Sequence, residues 1–186
     1  APAHSKIGNV IVRKMERHVG IAPVAAEKFR DALAAMIGKS LPQHLATYGA
    51  IMEAVANVKD HAYIRPDAEN TKVLKDAWWV SASYEIEQKL LQIVFLNQGI
   101  GVPQTLPQTV MEILKSIIPF KGDTHSARIQ AALQYGRSST GKVGRGRGFG
   151  DMMELVDAKS TNWLRVLSGK GECVYEDGNL TTREHS

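Results

Sequence analysis

Seven residues at 90–96, LLQIVFL, constrain the fold more than any other stretch of the chain. The run is nearly all apolar, too short for a stable helix and bounded by polar residues. It therefore reads as a central strand covered on at least one face. It passes without a break into Asn97-Gln98-Gly99-Ile100-Gly101-Val102-Pro103, so the strand ends in a turn built on glycine. Residues 77–86 read as a second strand, joined to the first through the polar Glu87-Gln88-Lys89. A hydrophobic hairpin of this kind needs another layer to bury it.

Helices supply that layer. Pro23 stands where a first helical turn tolerates proline, Gly38 is a stop signal, and Phe29, Leu33, Met36 and Ile37 recur at helical spacing between them. A second helix is expected over 43–62, with Leu45, Met52, Val55 and Ala56 as its apolar stripe. On a neighbouring stripe Glu53, Asn57 and His61 follow one another four residues apart, drifting only about 40° per step. Elsewhere, residues 10–12 suggest a short edge strand, 64–76 a polar loop, and 104–135 a helical stretch broken at Pro107, Pro119 and Gly122. Residues 136–150 are rich in glycine, 151–158 read as a helix, and 163–167 with 172–175 as a closing hairpin. The polar tail beyond 178 reads as frayed. The sum is an α+β chain: a two-layer α/β sandwich whose mixed, mostly antiparallel sheet carries helices on one face.

With 186 residues, 44% hydrophobic and 23% charged, the chain is expected to form one domain over 1–186 without covalent staples. The lone Cys173 cannot form an internal disulfide, a zinc ribbon or a redox pair. No window is apolar enough for a membrane span, and the first residues do not read as a signal peptide, so a soluble, cytoplasmic protein is expected. The net charge is only +4. The dense basic cluster, Lys142, Arg145 and Arg147, lies among glycines, which points to phosphate rather than to a broad nucleic-acid surface. Aromatic residues are 6% of the chain, and only Phe149 falls in that loop, so base-stacking platforms for nucleic acid are scarce.

Three places carry residues suited to chemistry. The segment GRSSTGKV at 136–143 comes close to a P-loop, but Val143 stands where a hydroxyl should hold Mg²⁺, and a helical rather than strand pattern precedes it. The glycines that follow still let backbone N–H groups approach phosphate ahead of a helix start, although such a loop can also be plain flexible chain. Asn97 to Gly101 can be an ordinary strand-to-helix turn or a close approach to a ligand. On the helix, a carboxylate at Glu53 suits a general base and the Asn57 amide oxygen suits Mg²⁺; each alone is also a common surface residue.

Together these three segments resemble the boxes of the GHKL ATPases, a superfamily that includes gyrase B subunits, histidine kinases and heat-shock chaperones. Glu53-Ala-Val-Ala-Asn57-Val-Lys-Asp-His61-Ala-Tyr63 is similar to the N box, most of all to that of the bacterial anti-sigma-factor serine kinases. Asn97 to Pro103 resembles the DxGxGIP box, and Gly146-Arg-Gly148-Phe149-Gly150 the second glycine box. The resemblance covers about 43–176.

It implies a Bergerat fold binding ATP and Mg²⁺, with 104–145 as the ATP lid. Glu53 would be the catalytic base, Asn57 the Mg²⁺ ligand and His61 a further member of the site. Asn97 would read adenine, with Gly99 and Gly101 shaping the pocket floor. Gly146, Gly148 and Gly150 would offer amides to the phosphates, and Lys142, Arg145 and Arg147 would be charge partners. The implied activity is that of a serine/threonine kinase or an ATPase in bacterial regulation, with a protein partner of the anti-anti-sigma kind and a homodimer left open. The alternative is a weakly catalytic, nucleotide-responsive module that meets its partner through the lid. One residue departs from the pattern: the family's adenine-binding aspartate is Asn97 here. A neutral acceptor bonds more weakly than an ionised one, a difference of about 1–3 kcal/mol.

Overall fold

The computed structural model describes residues 4–20, 23–38, 44–63, 76–106, 108–139, 149–159 and 161–186. In order they form β1 (His4–Ile7), β2 (Val10–Val19), α1 (Pro23–Ile37), α2 (His44–Asn57) with a π-helical turn (Val58–Ala62), β3 (Ala77–Glu85) and β4 (Leu90–Asn97). A short 3₁₀ turn (Val102–Gln104) leads to α3 (Gln108–Lys121), α4 (His125–Ser139), α5 (Gly150–Asp157), β5 (Trp163–Ser168), β6 (Gly171–Glu176) and β7 (Asn179–Glu184). The fold is mixed α+β. No helix among the described residues is long and apolar enough to cross a membrane.

The strands make two antiparallel sheets, ordered β1-β2-β3-β4 and β5-β6-β7, where one mixed sheet was expected. Four of the five pairings join neighbouring strands through turns of two to four residues, which costs little loop entropy, whereas β2 and β3 pair across α1 and α2. β4 and β5, which α3, α4 and α5 separate in sequence, do not pair. Their edges instead line the two sides of one cavity.

The first core lies between α1, α2 and the four-stranded sheet. Ala26, Phe29, Leu33 and Met36 of α1 are buried with Ile51 and Val55 of α2 and with Trp78, Val80 and Ala82 of β3. The helical stripe expected of α1 is therefore present, and α2 turns Ile51 and Val55 inward. Leu45, assigned to that same stripe, is 81% exposed because it lies in the first turn, outside the contact with the sheet. A second core joins Ile129 and Leu133 of α4 and Met153 and Val156 of α5 to Cys173 and Tyr175 of β6. A third, containing Val110, Leu114, Ile117, Ala127 and Ala131, belongs to α3 and α4. The described part of the expected lid is thus a packed helical pair.

Three boundary expectations are corrected. The short edge strand at 10–12 is the start of the ten-residue β2, which pairs on both sides. Its charged residues hid it: Arg13 is buried, pairs with Glu16 across a bulge and lies over the Phe29 ring. The tail beyond 178 is not frayed but forms β7, entered through Asp177-Gly178, both at positive φ. Asp-Gly is a strong two-residue hairpin signal, and it outweighed the polar composition of the strand that follows. Finally, α4 runs on through Gly136 to Ser139, so the near-P-loop begins inside a helix.

Candidate functional site

The site starts where β4 ends. Asn97 pairs with Trp78, whose side chain is in the first core, so Asn97 faces the helical layer. After it the chain must turn sharply beneath the end of the π-helical segment. Ile100 donates its N–H to the Ala62 carbonyl at 2.8 Å, and the Gln98 N–H donates to the Tyr63 hydroxyl at 3.2 Å. Tyr63 in turn donates to the Ala77 carbonyl at 2.8 Å, tying this corner to the start of β3. Gly99 is required by contact: a Cβ there would stand 2.2 Å from the Ala62 carbonyl oxygen and 2.5 Å from its Cβ. Gly101 is required by conformation as well as contact. Its φ is +86°, and a Cβ would come within 2.7 Å of the Ser168 hydroxyl.

The far side of the turn is also held. The Val102 N–H donates to Ser168 Oγ at 3.0 Å, and Arg128 donates to the Pro103 carbonyl at 3.0 Å while gripping Asp123 with two bonds of 2.7 Å. The guanidinium beside Asp123 holds that carboxyl below its ordinary range. The glycine turn is therefore clamped between the π-helical end of α2 and the β5–β6 corner.

These contacts gather six of the expected site residues on one wall system. Glu53, Asn57, His61, Asn97, Gly99 and Gly101 all line a cavity of about 1760 Å³. That exceeds a usual small-molecule pocket of about 300–1000 Å³, because the space continues between the edges of β4 and β5. Glu53 and Asn57 are half-buried, one helical turn apart. The Asn57 Nδ2 is buried and has no hydrogen-bond partner among the described residues. His61 lies in the π turn and is exposed. The α-helical stacking expected of all three residues thus stops at Asn57, because a π turn has a wider period.

Asn97 differs from expectation in a way that matters. Its Oδ1 already accepts the Gly99 N–H at 3.1 Å. Gly150 is buried at the first turn of α5 and is not on the cavity wall; its neighbour Phe149 is. Lys142, Arg145, Gly146, Arg147 and Gly148 lie outside the described residues. Two residues earned no role from the sequence and have one in the fold. Tyr63 carried a signal, as the last residue of the N-box-like segment, whereas nothing local marked Ser168.

Among the described residues no group of three or more His, Cys, Asp or Glu side chains is assembled to hold a metal. A cation that arrives on a triphosphate needs few protein oxygens, and an amide on the cavity wall with an uncommitted NH₂ group can turn its oxygen to one. No family model matches the chain, and no match was found among curated proteins or solved structures.

Proposed function

We propose that this chain binds a purine nucleoside triphosphate, ATP with Mg²⁺, in a Bergerat-type site of the GHKL kind, and acts as a serine/threonine kinase or ATPase. One observation carries the reading. Segments far apart in sequence, the Glu53–Tyr63 segment and the Asn97–Gly101 turn, are stitched together by the Ala62–Ile100 and Tyr63–Gln98 hydrogen bonds along a single cavity. Helix and turn each have bland explanations alone; their joining around one hollow is what a bound nucleotide needs.

Within this reading Asn57 holds the Mg²⁺, which neutralises charge between the phosphates when bound. Glu53, one turn earlier on the same wall, orients the attacking hydroxyl or water and accepts its proton. Asn97, on the cavity wall, meets the base. A serine on a regulatory protein partner is the acceptor if the chain is a kinase.

Calorimetry with MgATP, followed by a radiolabelled phosphate assay, tests this. Wild type is expected to bind and turn over, and Glu53→Ala to bind with affinity of the same order but to lose turnover about 100-fold or more. Turnover unaffected by that substitution removes Glu53 from its role.

One feature favours the alternative of a nucleotide-responsive interaction module. Phe120 is 88% exposed beside Pro119 at the end of α3, on the described part of the lid region. Digestion at α3 that is the same with and without MgATP would count against that alternative.

A further inference from the structure

We infer that the base-reading position of this cavity presents a hydrogen-bond donor, so that the site accepts 6-oxopurine triphosphates at least as tightly as ATP. The inference rests on the nucleotide reading above and deepens it.

The polarity follows from the turn. A backbone N–H can be satisfied only by the oxygen end of an amide, so the 3.1 Å bond from Gly99 N–H to Asn97 Oδ1 fixes which way the side chain lies. Oδ1 points back to the turn, an arrangement common to asparagine and aspartate at such positions. Nδ2 is left on the outer side with two N–H groups and, among the described residues, no partner. The turn cannot easily relax to free the oxygen. Gly99 is pressed against Ala62, and the Ile100–Ala62 bond holds the next residue in place.

An aspartate here would also turn one oxygen to Gly99 and would leave the other outward, a charged acceptor. It would pair with the amino group at position 6 of adenine and repel a carbonyl oxygen there. Asparagine reverses the outward group. Its N–H faces a donor in adenine but finds an acceptor in the 6-oxo oxygen of hypoxanthine or guanine. A site built to hydrogen-bond one partner loses affinity for the analogue that leaves its polar groups unpaired. The second lone pair of Oδ1 still admits adenine, so ATP is retained but not preferred.

MgITP is the sharpest probe, because it exchanges the 6-amino group for a 6-oxo group and adds no 2-amino group. Dissociation constants for MgATP and MgITP are measured by calorimetry on wild type and Asn97→Asp. In wild type ITP is expected to bind between equally and about tenfold more tightly than ATP, and in Asn97→Asp ATP is expected to lead by about tenfold or more. Wild type preferring ATP by more than threefold overturns the inference and leaves the nucleotide site standing. Equal ratios in the two proteins also overturn it, by showing that residue 97 does not meet the base. Should neither protein bind either nucleotide, the nucleotide reading itself falls and takes the inference with it. If circular dichroism shows Asn97→Asp unfolded, Asn97→Ala replaces it. Loss of the donor must then weaken ITP at least about fivefold more than ATP, and equal weakening is the overturning result.

Discussion

The two sheets of this chain carry similar helical layers but are held by different forces. Around β3 and β4 the contacts are apolar and aromatic: Trp78 lies 5.7 Å from Phe95, and Phe95 lies 6.4 Å from Phe29, ring centre to ring centre. Around β6 and β7, polar groups add directional ties to a smaller core. The Glu184 carboxylate accepts the Ser126 N–H at 2.8 Å and the His125 N–H at 3.3 Å, capping α4 from another element. The Lys170 N–H donates to His125 Nδ1 at 2.9 Å, and Glu172 bridges Arg165 and His185 at 2.8 Å each. Tyr175 donates to Asp157 in a short bond. Burial dominates the first half, beside the Arg13–Glu16 pair and the hydrogen bonds of Trp78 and Tyr63 to backbone carbonyls, whereas the second half adds carboxylates that respond to pH.

The contrast is sharpest in the largest expected loss. Trp78 is among the largest fully buried side chains, so Trp78→Ala is expected to cost about 3–5 kcal/mol in urea denaturation. Gly99→Ala comes next, at about 1–3 kcal/mol, because the new methyl meets backbone that cannot move aside. If the proposed nucleotide site holds, it should also weaken binding more than Gly178→Ala, which is strained by a φ of +76° but does not line the cavity.

The smallest effect, and the one that separates the halves, is Glu184→Gln. An exposed carboxylate at a helix N-terminus contributes about 0.5–1 kcal/mol. Burial raises the pKa of Glu184, but hydrogen bonds from Ser126 and His125 outweigh this and hold it below the ordinary range. Glu172 is lowered by its bond to His185, against desolvation and with help from Arg165. A depressed carboxylate stabilises the fold above its unfolded pKa, about 4.3, and that contribution is lost as pH falls through the lower folded value. Stability should therefore drop below about pH 4.5, and Glu184→Gln should flatten that drop, as read by denaturation at successive pH values. A loss as large as that of Trp78→Ala would break the comparison.

The same contrast explains what was legible from sequence. The apolar half announces itself by period: the stripe Phe29, Leu33, Met36 and the run at 90–96 predict α1 and β4 closely. The polar half is uneven: the runs at 163–167 and 172–175 predict β5 and β6 and 151–158 predicts α5, whereas the last strand carries no such signal. β7, written NLTTRE, lacks an apolar face of its own and is a strand because β6 offers it a ladder and Glu184 finds the start of α4. Thr124 caps α4, its Oγ1 accepting the Ala127 N–H at 3.2 Å, and Glu184 adds to that cap from across space. In the candidate site the residue types and spacings stood in the sequence. The contacts of Gly99 with Ala62 and of Gly101 with Ser168 did not.

Local order alone determined where polar and apolar residues repeat, and with it the helices over the sheet and the glycine turn after β4. Those features follow from backbone period and side-chain chemistry within a few residues. Tertiary structure decided that the strands divide into two sheets, that the end of α2 widens into a π turn, and that the turn after Asn97 is pressed against Ala62. Each of these depends on groups distant in the chain meeting at hydrogen-bond or van der Waals distance. Such meetings are set by the packing of whole elements, which no short window of sequence encodes.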